Sequence, residues 1–308
     1  MTEPAADGDR RVTLPRPERP YDLRVTFRAP SWGPGDPLTR LDPERAIAWR
    51  ATRTPDGPAS YRACLLPDAV VVDAWGEGAD WVAARASALV GLDDDGAGYL
   101  TDHPALRDLA RRYAGAHLPR SGTVFEHVVP AVIHQLVQSA DGRAWCRALA
   151  RRLGEPAPGP GELWLYPTPR TLRHTAPHVL TDLGILRKQA ETLRRAAEGA
   201  RFLEALAGEP PGEATLAALQ KIRGVGPWTA NKVLWCGFGW ADAVPVGDFH
   251  APNGVAWALA GEARGDDARM LELLEPFRPH RGRVVQWLEV SGTHAPKFGP
   301  RLPRRTRM

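Results

Sequence analysis

The sequence predicts an α+β protein in which a small β-rich N-terminal domain precedes a larger, mostly helical one. Two patterns carry this. Between residues 21 and 75 short runs of β-favouring residues recur, whereas from Asp102 onward apolar residues fall at helical spacing. At 308 residues the chain is also long enough for two domains with substantial cores. Asp93-Asp94-Asp95-Gly96 lies where the patterns meet. The expected organisation is therefore a disordered tail over 1–18, an α+β domain over 19–98, a helical domain over 99–295 and a basic tail over 296–308.

Residues 1–18 are polar, charged and proline-containing, which predicts the disordered tail. Leu23, Val25 and Phe27 alternate with polar residues and predict a first strand; Ala46–Trp49, Tyr61–Leu66 and Val70–Trp75 predict three more. A helix over Asp80–Val90 follows, burying Trp81, Ala84, Ala88 and Leu89. Helices are then expected over His103–Tyr113, Val124–Ser139 (kinked at Pro130), Trp145–Leu153, Thr171–Leu180 and Arg187–Ala197. Further helices are expected over Glu213–Lys221, Pro227–Cys236, Phe249–Leu259, Asp266–Leu274 and Arg281–Val290. Pro296–Met308 carries Lys297, Arg301, Arg304, Arg305 and Arg307, and reads either as a phosphate-touching tail or as a solvated terminus.

The net charge of +4 is unevenly spread. Residues 1–100 hold 12 basic and 16 acidic side chains, residues 101–200 hold 14 and 9, and residues 201–308 hold 14 and 11. The positive excess thus lies in the helical part, where a polyanion would be met. Cys64, Cys146 and Cys236 are far apart with no C-x-x-C, so neither a disulfide framework nor a zinc site is suggested. No stretch of about 18 apolar residues occurs and the N-terminus is acidic and proline-rich, so a cytoplasmic protein without membrane contact is expected.

Residues 222–248 hold the chemistry. Ile222-Arg223-Gly224-Val225-Gly226-Pro227-Trp228-Thr229-Ala230 reads as two helices joined by a two-glycine turn, with Pro227 at the first position of the second helix. Glycines allow close backbone approach, and the unpaired amides of a helix start suit a phosphate oxygen. An ordinary tight turn between packed helices has the same pattern. Asp248, twenty residues past Trp228, fits either a helix N-cap or a single catalytic carboxylate.

Gly224-Val225-Gly226-Pro227-Trp228-Thr229-Ala230-Asn231 followed by Pro245-Val246-Gly247-Asp248 resembles the helix-hairpin-helix DNA glycosylase superfamily, most closely its 3-methyladenine DNA glycosylase II branch. Phe125-Glu126, Ile133, Gln135-Leu136-Val137, Leu163-Trp164, Pro167-Thr168-Pro169, Leu183-Gly184 and Arg187-Lys188 extend the resemblance over roughly residues 103–290. It implies Asp248 as the catalytic carboxylate. It places Arg223, Gly224, Val225, Gly226 and Thr229 at the DNA backbone, with Gln135 and with Leu136 as the wedge into the duplex, for which a buried helix leucine is the ordinary alternative. Trp228 stands where bifunctional relatives carry a Schiff-base lysine, so a base-stacking role and no lyase route are expected. Lys232, Trp287 and His250 are candidates for the base pocket; a solvated lysine, a core tryptophan and a structural histidine are the ordinary alternatives.

The implied activity is monofunctional hydrolytic excision of alkylated purines of the 3-methyladenine type, leaving an abasic site in base excision repair. Two alternatives remain open: a glycosylase for oxidised or deaminated bases, and a damage-binding protein without catalysis. The expected partner is double-stranded DNA with damaged bases, bound by a nucleoid-associated monomer. No catalytic metal is expected, and no iron–sulfur cluster, since no cysteine follows Cys236. The resemblance allows a monovalent cation at the hairpin.

Overall fold

The computed structural model describes residues 9–296. An antiparallel sheet of order β1-β5-β4-β3-β2 is formed by β1 (Arg10–Pro15), β2 (Thr39–Asp42), β3 (Ile47–Thr54), β4 (Gly57–Leu65) and β5 (Ala69–Trp75). β3 and β4 pair from Ile47↔Cys64 to Thr54↔Gly57 across a two-residue turn, with Gly57 at φ +131. Short helices α1 (Leu23–Thr26), α2 (Ala79–Ala84) and α3 (Ala86–Leu89) help bury Leu23, Phe27, Tyr61, Val72, Val82 and Leu89 in the sheet's own core.

The rest is mostly helical: α4 (Arg107–Arg112), α5 (Phe125–Ile133), α6 (Ser139–Leu153), α7 (Pro169–His174), α8 (Pro177–Asp182), α9 (Arg187–Glu198), α10 (Ala200–Ala205), α11 (Glu213–Leu219), α12 (Pro227–Phe238), α13 (Ala251–Ala260), α14 (Asp267–Leu274) and α15 (Arg281–Ser291), with a small two-stranded sheet of β6 (Glu155–Pro156) and β7 (Trp164–Leu165) between α6 and α7. α5 is buried along its whole length and packs against α9 and α12. A second cluster joins Val255, Met270, Leu274, Val284 and Leu288 of α13–α15 to Leu106 and Ala110. Asp248 lies in the segment between α12, in the first cluster, and α13, in the second.

Sheet and helices are bound by buried charge. Arg50 of β3 reaches Glu126 of α5 at 3.0 Å, and Thr52 donates to the same carboxylate at 2.9 Å. Asp94 accepts from Arg283 of α15 at 2.8 Å and from the Leu118 amide at 2.9 Å. The aspartate run that the sequence offers as a boundary thus contains a buried anchor. Removing one partner of such a pair strands a buried charge, at a cost of about 3–5 kcal/mol.

Several expectations are corrected. Arg10–Pro15 is no disordered tail but an edge strand paired with β5 in the register Val12↔Val72, because Val12 and Leu14 alternate with polar neighbours. Leu23–Phe27 is a helical turn: Asp22 caps it by accepting the Arg24 amide at 2.9 Å, and Leu23 and Phe27, four apart, share its buried face. The helix expected to run to Ser139 stops at Ile133, and Gln189 donates to the carbonyls of Ile133 and Gln135 that this leaves open. Thr171–Leu180 is two helices, the second beginning at Pro177. The basic residues of the predicted C-terminal tail, and residues 1–8 of the N-terminal one, lie outside the described residues.

Candidate functional site

The two-glycine turn joins α11 to α12, and its glycines serve different ends. Gly224 has φ +104, and a Cβ there would lie 2.1 Å from Thr192 Oγ1 of α9, so glycine is required by backbone and packing alike. Gly226, at the N-cap of α12, has φ −91; a Cβ there meets nothing within 4 Å, leaving the helix start open to solvent. Val225 between them is buried and anchors the turn. Gln135 reaches across from the loop after α5, donating to the Gly224 carbonyl at 2.9 Å and to Thr229 Oγ1 at 2.7 Å. Thr229 is buried, so it serves to fix this loop against the hairpin.

The loop so fixed presents Leu136, which is 96 % exposed and has φ +54. An exposed leucine in left-handed backbone is unfavourable on both counts. Arg223 is exposed beside the turn, and its carbonyl accepts from Arg195 at 3.4 Å.

Asp248 precedes α13. Its Oδ1 accepts the amides of His250 at 2.7 Å and Ala251 at 2.9 Å, while Oδ2 accepts the Trp228 indole N–H at 2.8 Å. Burial pushes this carboxyl up, but the Ala251 and His250 amides, Lys232 and the indole outweigh it and hold it below the usual aspartate range. Gly247, at φ +87, gives its amide to Asp267 at 3.0 Å, which fixes the turn carrying Asp248. Capping and a charge facing Trp228 thus coexist in one residue. Asp242, by contrast, is consumed by structure: Arg281 holds it at 2.7 Å and Arg278 at 3.1 Å.

Around Trp228 the fold gathers residues from four segments. Trp32, from the Gly/Pro-rich loop after α1, lies 6.4 Å from the Trp228 ring and stacks on His134 at 4.4 Å. Asp36 shapes that loop by accepting the amides of Trp32 and Leu38, both at 2.9 Å. Burial holds His134 neutral down to about 4, with Nδ1 bonded to the Pro130 carbonyl at 2.8 Å. Lys232, one turn past Trp228, pairs with Glu289 of α15 at 3.7 Å. Burial lowers this ammonium, yet Glu289 and Asp248 raise it more, so it stays charged.

Three sequence expectations fare differently. Lys232 is held by Glu289, and its charge is among the causes that keep the Asp248 carboxyl low. Trp287 is 3 % exposed, packed in the α13–α15 core and stacked on Tyr99 at 5.8 Å, so it is a core residue. His250 is exposed, edge-on to the 77 %-exposed Phe249, and enters the site through its backbone amide. The sequence reading missed Trp32, His134 and Glu289. A tryptophan amid Ser31, Gly33, Pro34 and Gly35 is the one local signal, a bulky ring in a turn-forming segment with no core of its own.

Among the described residues no group of three or more histidine, cysteine or acidic side chains is arranged to hold a metal, and no helix is long and apolar enough to cross a membrane. No family model matches the chain. It is 29 % identical over 189 residues to Bacillus subtilis YfjP, whose name carries a provisional DNA-3-methyladenine glycosylase assignment, covering 59 % of this chain and 64 % of that one. It is 35 % identical over 130 residues to Escherichia coli DNA-3-methyladenine glycosylase 2, covering 41 % and 45 %. The chain thus spans less than two thirds of either relative. The 3-methyladenine DNA glycosylase of Archaeoglobus fulgidus superposes with a TM-score of 0.73 at 19 % identity over 90 % of this chain and 96 % of that one. An 8-oxoguanine glycosylase/lyase of Clostridium acetobutylicum, in complex with double-stranded DNA, gives 0.66 at 16 % identity over 90 % and 96 %. At such identities these structures establish a shared fold.

Proposed function

We propose that this member of the helix-hairpin-helix glycosylase superfamily excises alkylated purines from duplex DNA by hydrolysis, as a monomer on nucleoid DNA, and leaves an abasic site. The observation that carries the reading is the Asp248 carboxylate, held ionised between the Trp228 indole and the start of α13. Breaking an N-glycosidic bond develops positive charge on the sugar, which a fixed carboxylate stabilises. Three donors already bind Asp248 and depress its basicity, so it acts through its charge more than by taking a proton, and water supplies the nucleophile.

The amine route is disfavoured. Trp228 holds the lysine position, and Lys232 is kept protonated by two carboxylates, whereas an attacking amine must be free. A purine alkylated on a ring nitrogen carries its own positive charge and leaves without a general acid. Aromatic faces favour a cation by about 0.5–2 kcal/mol, and stacking supplies about 1–3 kcal/mol against the few kcal/mol needed to extrude a base. The relatives' names agree with alkylated bases. The oxidised-base alternative has only the shared fold behind it, and the non-catalytic one accounts for the helix cap that Asp248 Oδ1 makes but not for its Oδ2 facing Trp228.

The test is Asp248→Asn, which keeps the shape and an acceptor oxygen but removes the charge. Base release from methylated duplex should fall by at least about 10²-fold, with DNA binding retained. Release near the wild-type rate would sink the assignment.

A further inference from the structure

We propose that the Lys232–Glu289 pair reads the base-pairing edge of the extruded purine and favours alkylated guanine over alkylated adenine. This rests on the glycosylase reading above. Lys232 follows Trp228 by one turn of α12, and Glu289 approaches from α15, so the pair joins two elements beside the candidate carboxylate. The side chains are 20 % and 37 % exposed, shielded yet reachable. At 3.7 Å they attract one another but are too far apart for a good hydrogen bond, so the ammonium donors and carboxylate lone pairs remain available to a ligand. The i, i+4 spacing on α12 sets Lys232 on the same helix face as Trp228, whose indole N–H is held by Asp248, so the pair borders that ring and the candidate carboxylate.

The edge chemistry is complementary to guanine. A carboxylate accepts N1–H and N2–H of guanine side by side, while the ammonium donates to O6. Adenine offers one N–H to the carboxylate and sets its bare N1 against the second oxygen. A site built to hydrogen-bond a base rejects one that leaves its groups unpaired. Charge favours a cationic purine of either kind, since one lysine stands against the two carboxylates Asp248 and Glu289, and the choice between the two purines is left to the edge contacts. The sequence shows no second carboxylate at the site because Glu289 lies 41 residues beyond Asp248, on another helix.

The experiment measures release of 3-methylguanine and 3-methyladenine from the same methylated DNA. These bases carry the methyl on the same ring nitrogen and differ at the edge. Glu289→Gln and Lys232→Met should each lower the guanine-to-adenine rate ratio about tenfold or more relative to wild type, the discrimination expected of a good bidentate contact. Competition by the free bases against wild type provides a variant-independent check, with 3-methylguanine the stronger inhibitor. If both release rates fall together, with a lower Tm and an unchanged ratio, the pair is only a staple between α12 and α15 and the inference is overturned. Equal or weaker inhibition by 3-methylguanine overturns it too. Wild type releasing neither base overturns the parent reading and this one with it, whereas normal release with unchanged ratios overturns this inference alone.

Discussion

Replacing Gly226 with alanine should weaken DNA binding while leaving the fold intact, and replacing Gly224 should first damage the fold. At Gly226 the new methyl meets no protein atom within 4 Å, and φ −91 suits any residue. Loss of a good N-cap costs about 0.5–1 kcal/mol. At Gly224 the methyl would lie 2.1 Å from Thr192 Oγ1, at a φ of +104. Backbone strain of about 1–3 kcal/mol adds to overpacking of about 1–3 kcal/mol, roughly 2–6 kcal/mol in all. Thr192 cannot turn away without giving up its 2.9 Å bond to the Lys188 carbonyl. Thermal melts should therefore separate the variants, with Gly224→Ala many degrees below Gly226→Ala. Gel-shift titrations on undamaged duplex at several salt concentrations should then show weaker binding for Gly226→Ala, and still weaker for Gly226→Asp, with the log–log salt slope reduced by about one phosphate contact. Wild-type affinity and slope in Gly226→Asp would refute the open helix start as a phosphate site, and an unchanged melt for Gly224→Ala would refute the packing account.

Leu136→Gly removes an exposed side chain and relieves a positive φ, so it should not lower Tm, while base release from fully paired duplex should fall several-fold more than release from mismatched sites that open cheaply; equal release from both would place the wedge elsewhere. Trp228→Phe keeps a ring but deletes the 2.8 Å bond to Asp248, a charge-assisted contact worth about 1.5–3 kcal/mol. The acid limb of the pH–rate profile should therefore move upward, and an unmoved limb would show that the indole does not tune the carboxylate. Because the Asp248 carboxyl is depressed in the fold, its contribution to stability is fully present above the unfolded aspartate value of 3.8 and is lost as pH falls through the folded value. Stability lost below pH 4 should thus shrink in Asp248→Asn, as read by chemical denaturation at pH 7 and pH 3.

Three strands of the sheet, most of the helices after Asp102 and the two-glycine turn could be read from the chain because each is local: strand alternation, helical spacing and Pro227 at a helix start; Asp248 became the candidate carboxylate through the resemblance. Local patterns misled where a longer-range partner decides the outcome. Arg10–Pro15 is ordered by pairing with β5, sixty residues away, and the helix holding Pro130 ends early because Gln189, from α9, satisfies the carbonyls past Ile133. Leu23–Phe27 fits both a strand and a helical turn by spacing, and capping by Asp22 settles it.

The pocket shows the same division. Sequence by itself determined that Asp248 follows the two-glycine turn by about twenty residues, a matter of residue type and spacing along one stretch, whereas the expectation that Trp228 stands at a lysine position came from the resemblance. Only the tertiary structure decided that Trp32 of the N-terminal loop lies beside Trp228 and stacks on His134, that Lys232 meets Glu289, and that Trp287 is core. Residues 32 and 289 each meet a side chain of α12, Trp32 at Trp228 through the loop that Asp36 shapes and Glu289 at Lys232. Their spacing in the chain carries no trace of that contact, because side chains meet through buried surface and charge, not through sequence period.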